Sequence, residues 1–126
     1  KQDKVAAIDA AVISATRAGR TLGDVFAALQ AAYASQGESD QWKLHHQGGL
    51  IGYQGRERIV TPGDSTVIAS GMAFAWNPSI VGCKSEDTML LGADGFEIVT
   101  KASDEWTMVE VGIGGQTIAR PGILEL

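Results

Sequence analysis

Two short stretches hold the residues that could do chemistry, and they read as one site. The first, Leu44-His45-His46-Gln47-Gly48-Gly49-Leu50-Ile51-Gly52-Tyr53, contains both histidines of the chain. The second runs from Gly71 to Pro78 and on through Gly82-Cys83-Lys84-Ser85-Glu86-Asp87-Thr88. It carries Asn77 at the end of an apolar run and the acidic pair Glu86-Asp87. Imidazole carries protons near neutral pH and is a frequent metal ligand, so a double histidine beside glycines reads as a metal or catalytic centre. Gly48, Gly49 and Gly52 let the backbone approach a ligand closely. A phosphate-cradling loop is a poor explanation, because no GxGxxG or GxxxxGK[ST] pattern follows a strand and opens a helix.

Side-chain direction narrows the reading. On a strand, His45 and His46 point to opposite faces, so at most one of them lines a pocket. Glu86 and Asp87 divide in the same way. One is solvated, and the other turns inward, where it needs a partner or a raised pKa. Asn77, just before Pro78, has the simpler reading of a turn residue. Cys83 is the only cysteine, which excludes an internal disulfide and a cysteine-based zinc knuckle. It reads as a small buried hydrophobe and fits a reducing cytoplasm.

The elements that must position these residues come in two blocks. Val5, Ile8 and Val12 recur at helical spacing within an alanine-rich run, which predicts a helix over 2–18 that stops at Gly19. Thr21-Leu22-Gly23-Asp24 resembles a capping box and opens a second helix. Its apolar stripe is Leu22, Val25, Phe26, Leu29 and Tyr33, and it ends near Ser35. From Trp42 onward glycine, proline and β-branched residues replace the helical period. Thr61-Pro62-Gly63-Asp64 marks a turn. Strands are predicted over 66–69, 72–77, 85–91, 96–100, 106–111, 116–120 and 123–126, with hairpin turns at Asp94-Gly95 and Gly114-Gly115. Helices first and strands afterwards give an α+β class, a helix pair packed on an antiparallel sheet. Residues 1–126 form one domain, helices over about 2–35 and sheet over about 42–126. A formal net charge of −5, with positive charge concentrated only at Arg56-Glu57-Arg58, argues against nucleic acid as a partner. No apolar run approaches the roughly 20 residues that span a bilayer, so no membrane partner is expected. The chain opens on Lys rather than Met, and a longer parent protein is expected.

Taken together and in order, these blocks resemble the C-terminal half of the pita-bread metallopeptidase family, which includes Xaa-Pro aminopeptidases, prolidases and creatinase. His45-His46-Gln47-Gly48-Gly49-Leu50-Ile51-Gly52 is similar to the family's HGxGHGIG segment. Gly71 to Pro78 is similar to GMVFTIEPG. Gly82 to Thr88, running on to Gly95-Phe96-Glu97-Ile98-Val99-Thr100, is similar to GVRIEDTVLVTEDGxExLT. The resemblance implies a pita-bread half whose missing N-terminal half is a partner. It also implies a family chemistry in which two divalent metal ions (Mn, Co or Zn), held by two Asp, one His and two Glu, activate a water. Both Asp ligands belong to the half that these residues do not contain. The ligand His falls on Gly49, one ligand Glu falls on Asn77, and a second family His falls on Arg56. Glu86 alone stays at a ligand position, and His45 stays at a substrate-touching one. Glycine has no side-chain ligand and a neutral amide is a poor one, so no metal cofactor is expected.

Two functions follow from the resemblance. In the first, the chain is part of a hydrolase that acts on a C–N bond of a small peptide-like or amidino substrate without the dimetal centre. His45 or His46 is then the general base. Glu86 orients it or binds a cationic group, and Tyr53, Arg56 and Asn77 fix the substrate. In the second, the chain is a pseudo-peptidase, a non-catalytic binding or interaction module. Either way the half-domain exposes a sheet edge and an apolar wall, so a homodimer is expected.

Overall fold

The alanine-rich start of the chain forms helix α1, Gln2–Ala15, in the computed structural model, which describes residues 1–126. The helix stops three residues short of the expected position because Thr16 turns extended, at φ −76° and ψ 95°. Its hydroxyl donates to the Val12 carbonyl at 2.7 Å and the Arg17 guanidinium to the Ile13 carbonyl at 3.0 Å, so the last turn is satisfied by side chains. Helix α2, Leu22–Ser35, opens on the predicted capping box. The Asp24 amide donates to Thr21 Oγ1, and the Thr21 amide donates to the Asp24 carboxylate, both at 3.1 Å.

Beyond a short 3-10 helix at Gln41–Leu44 lie nine strands: β1 (Gly48–Ile51), β2 (Arg56–Ile59), β3 (Ala73–Trp76), β4 (Ser79–Ile80), β5 (Cys83–Lys84), β6 (Asp87–Leu91), β7 (Phe96–Ile98), β8 (Met108–Ile113) and β9 (Gln116–Pro121). Five of them make one antiparallel sheet in the order β2-β1-β3-β6-β7. β4 pairs with β5, and β8 with β9 through the Gly114-Gly115 turn, both of whose residues have positive φ. Two sequence expectations are corrected. Residues 66–69 contribute only a single bridge, Thr21 to Val67, and 123–126 is not a strand. In turn β1 and β2, rich in glycine and charge, are strands that the sequence pattern does not announce.

Alternation along the sheet separates a packed face from an open one. Phe74 and Trp76 stack at 5.8 Å and, with Met89 and Leu91, meet Val5, Ile8, Phe26, Leu29 and Tyr33 of the helices in one core. Burying each such side chain contributes roughly 1.5–3 kcal/mol. The β8–β9 ribbon lies against α1. It delivers Arg120, 1 % exposed, to Asp9 of α1, with Ser85 and Asp87 completing a buried polar cluster. No helix is long and apolar enough to cross a membrane.

Candidate functional site

Glycine sets the geometry of the histidine stretch. Gly48 and Gly49 lie between β2 and β3, and a Cβ added at Gly49 would stand 1.9 Å from the Arg58 carbonyl oxygen. At Gly48 it would stand 2.2 Å from that of Ala75. Only glycine lets these backbones close. His45 and His46 precede this strand, His45 at the end of the 3-10 helix with extended φ −161° and ψ 170°. Their rings lie 6.2 Å apart at 86°. Because neither is on a strand, the opposite-faces expectation fails, and both line one open cleft of about 560 Å³ with Asn77, Ser79 and Lys84.

A second cleft of about 480 Å³ shares His46, Asn77 and Lys84 and adds Arg56 and Glu86. The two clefts are thus contiguous across three side chains. Arg56 donates to the Ala75 carbonyl at 2.8 Å and to Glu86 at 3.0 Å. Lys84 meets the other Glu86 oxygen at 2.6 Å. Glu86 therefore holds two cations and hydrogen-bonds neither histidine. The Lys84 hydrogen bond above all, then the charges of Lys84 and Arg56, hold its carboxyl below the usual range against the effect of partial burial. Partial burial, and then the charges of Arg56, His45 and Lys84, lower the pKa of His46, which favours its neutral form. Asn77 is 4 % exposed, and its side-chain oxygen has no donor in the protein. Asp87, the first residue of β6, turns away from the cleft to Arg120 and Thr100, whereas Glu86 precedes the strand, so the mid-strand placement expected for the pair does not hold. Tyr53 is not brought together with the other candidate residues. It projects from the bend between β1 and β2, is exposed to solvent, and lines neither cleft. Cys83 is half-buried rather than buried and donates to Gln2.

Four site residues escape the sequence reading. Ser79 Oγ contacts His45 Nε2, and His45 Nδ1 contacts the His46 carbonyl. Tyr33 Oη, in the core, accepts the Ser79 amide at 2.8 Å and lies 2.8 Å from Gln47 Oε1. The Gln47 amide nitrogen donates to the carbonyls of Trp42 and His45 at 3.1 and 3.0 Å. Burial pushes the Tyr33 phenol up to about 12, so it stays a neutral hydrogen-bonding group. Lys84 faces Ser79 directly across the β4–β5 pair. The signal for Ser79 and Gln47 is their place beside Asn77-Pro78 and inside the double-histidine stretch; Tyr33 carries none beyond its place in the apolar stripe.

A helix pair on an antiparallel sheet of this order is a partial pita-bread domain, like prolidase and aminopeptidase structures. The sequence profile of metallopeptidase family M24 matches residues 2–93, and the chain belongs to that family. Prolidase from Pyrococcus furiosus superposes with a TM-score of 0.72 at 21% identity, over 81% of this chain and 32% of that one. Xaa-Pro dipeptidase from Bacillus anthracis does so at 0.69 and 23% identity, over 82% and 31%. The N-terminal domain of FACT complex subunit SPT16 from Cicer arietinum does so at 0.66 and 18% identity, over 79% and 28%. The chain spans less than a third of each of these solved chains. No curated protein sequence matches it.

The family is a metallopeptidase family, but the donors of this chain do not fit a metal pair. Nowhere do three His, Cys, Asp or Glu side chains converge. Glu86 is engaged by Arg56 and Lys84. The positions that the resemblance assigns to the ligand His and a ligand Glu are Gly49, where no side chain fits, and the neutral Asn77.

Proposed function

We propose that this chain is the C-terminal half of the catalytic domain of an M24-family hydrolase that works without the family's dimetal centre. It cleaves a C–N bond in a small peptide-like or amidino substrate. The observation that carries this reading is the convergence of His45, His46 and Asn77 on one cleft. His45 is the general base, an imidazole lining the same cleft as Asn77 and Lys84. His46 shapes the wall between the two clefts as a neutral imidazole. Arg56 and Lys84, held in place by Glu86, bind an anionic group of the substrate, and Asn77 helps fix the substrate from the wall that the two clefts share. The other half of the pita-bread domain covers the open sheet face. The single cysteine fits a cytoplasmic location.

The missing metal donors favour one second reading, a pseudo-peptidase that binds peptides without cleaving them. The discriminating experiment offers the purified full-length protein Xaa-Pro dipeptides and guanidino acids, with EDTA and with added Mn, Co or Zn. Turnover that survives EDTA and disappears in His45→Ala supports the hydrolase. Saturable peptide binding without turnover supports the module. Cleavage that requires added metal overturns both.

A further inference from the structure

We propose that Arg120 is a positioning residue for the cleft: from the buried side it sets Glu86, and through Glu86 the cations Lys84 and Arg56. The inference deepens the hydrolase reading, and it rests on that reading for what the two cations bind. It starts from a gap between strands. Ser85 and Glu86 join β5 to β6 and belong to neither. Yet Glu86 is the residue on which both cations converge, Arg56 at 3.0 Å and Lys84 at 2.6 Å. The cation pair is therefore only as well placed as the backbone at Glu86.

Both neighbours of Glu86 lead to one buried ion pair. Ser85, 5 % exposed, donates to Asp9 Oδ2 and accepts from Arg120 Nη2 at 3.4 Å. Asp87 meets the same Nη2. Arg120 is in turn fixed to Asp9 of α1, through Nε at 2.8 Å and Nη2 at 2.7 Å. Ser85 and Asp87 thus turn to the guanidinium, while Glu86, between them, turns to the cleft. A planar guanidinium offers several donors in a fixed fork, and a single ammonium does not reproduce that geometry. An unpaired buried charge is strongly disfavoured, so the cluster has little freedom to rearrange.

The brace comes from a distant part of the chain. Arg120 lies outside residues 2–93, the part that the family profile matches, and the β8–β9 ribbon carries it in against α1. The seat of the ribbon on α1 is thereby coupled to the cleft. The two cations depend on the brace unequally. Arg56 keeps a second anchor, the Ala75 carbonyl at 2.8 Å, whereas Glu86 is the only ion partner of Lys84. Loss of the brace should loosen Lys84 more than Arg56.

NMR of the full-length protein, labelled at lysine Cε and in the histidine rings, tests the assignment at one fixed pH. Lys84→Arg and His46→Gln identify the two cleft signals, and Glu86→Gln shows where they move when the carboxylate is lost. The expected result is that Arg120→Lys moves both signals along the line from wild type toward Glu86→Gln. Ser85→Ala, which removes one anchor and no charge, moves them less far along it and carries the test if Arg120→Lys does not fold. Thermal unfolding midpoints show which variants fold. Wild-type signals in both folded variants overturn the proposal, and so does an equal shift in Asp64→Asn, which breaks an ion pair elsewhere. Turnover of Xaa-Pro dipeptides or guanidino acids separates the brace from the reading beneath it. If the cations bind substrate, Arg120→Lys raises KM several-fold with kcat near wild type. Shifted signals in a protein that turns over none of these substrates support the brace and overturn the hydrolase reading.

Discussion

Arg120 of β9 and Asp9 of α1, 111 residues apart in the chain, meet at 2.7 Å with both side chains 1 % exposed. Ser85 donates to the same Asp9 oxygen at 2.5 Å, and Asp87 contacts Nη2 of the same guanidinium, the nitrogen that also meets Asp9. Asp9 Oδ1 has no donor, and burial raises the Asp9 pKa against the pull of Arg120. Arg120→Met leaves two carboxylates facing a core with no cation. It is expected to destabilise the protein by about 3–5 kcal/mol. The double variant with Asp9→Asn should cost less than the two single changes summed, as a urea-denaturation double-mutant cycle would measure.

Asp64 gives an acid-side prediction. Its carboxylate accepts from Arg58 Nε at 2.8 Å and from the Thr66 amide at 3.0 Å. Chiefly the Arg58 hydrogen bond lowers its pKa from 3.8 to about 2. A depressed folded pKa means stability that is complete above the unfolded value and lost as pH falls from about 4 toward about 2. Arg58 is half exposed, so the contribution is about 1–2 kcal/mol. The stability gap between wild type and Asp64→Asn should therefore be present at pH 7 and close by pH 2. A gap unchanged at pH 2 would contradict the assignment.

At Gly49, the position that the resemblance assigns to the ligand His, the backbone leaves no room for a side chain. Gly49→His drives a Cβ to within 1.9 Å of the Arg58 carbonyl, and backbone cannot yield as a side-chain end can. The expected outcome of Gly49→His with Asn77→Glu is a loss of stability of several kcal/mol and no tight Mn, Co or Zn binding by calorimetry. A stable double variant that binds two equivalents of metal would show that the β1–β2 pair can be re-spaced.

The helices were legible because alanine and the apolar stripe of α2 state their own period, and because a capping box is local in sequence. The motif blocks marked the fold for the same reason, being short runs of fixed order. β1 and β2 were not legible. Gly48 and Gly49 have no strand propensity, and Arg56, Glu57 and Arg58 read as a solvated turn. β1 is a strand because β3 offers it hydrogen bonds, and β2 because β1 in turn offers them to it. In the site, His45, Asn77 and Glu86 were marked by type. The partners of Glu86 and the contact between Ser79 and His45 depend on how distant segments meet, and no spacing encodes that.

The open face of the sheet predicts association. β2 is an edge strand with Ile59 47 % exposed, and Leu90 and Val99 are exposed on the β6–β7 side. Unpaired edges and apolar patches favour pairing with another chain. In light scattering the isolated chain is expected to run as a dimer, and Ile59→Lys to shift it toward monomer. A monomer at micromolar concentration would remove the edge as an interface.

Tyr33 connects the core to the site, and it separates positioning from chemistry. Tyr33→Phe keeps the ring packing and removes one oxygen. The Ser79 amide and Gln47 Oε1 then lose a partner. Because the site is partly buried, the stability cost is about 1–3 kcal/mol. If the phenol only supports the fold, activity per folded molecule is unchanged. If it aligns His45 through Gln47, kcat for a small amide falls while KM stays near its wild-type value, because no substrate contact is lost. A rise in KM with constant kcat would instead put Tyr33 in substrate binding. Single-turnover kinetics on folded Tyr33→Phe protein, with urea unfolding run alongside, distinguishes these outcomes.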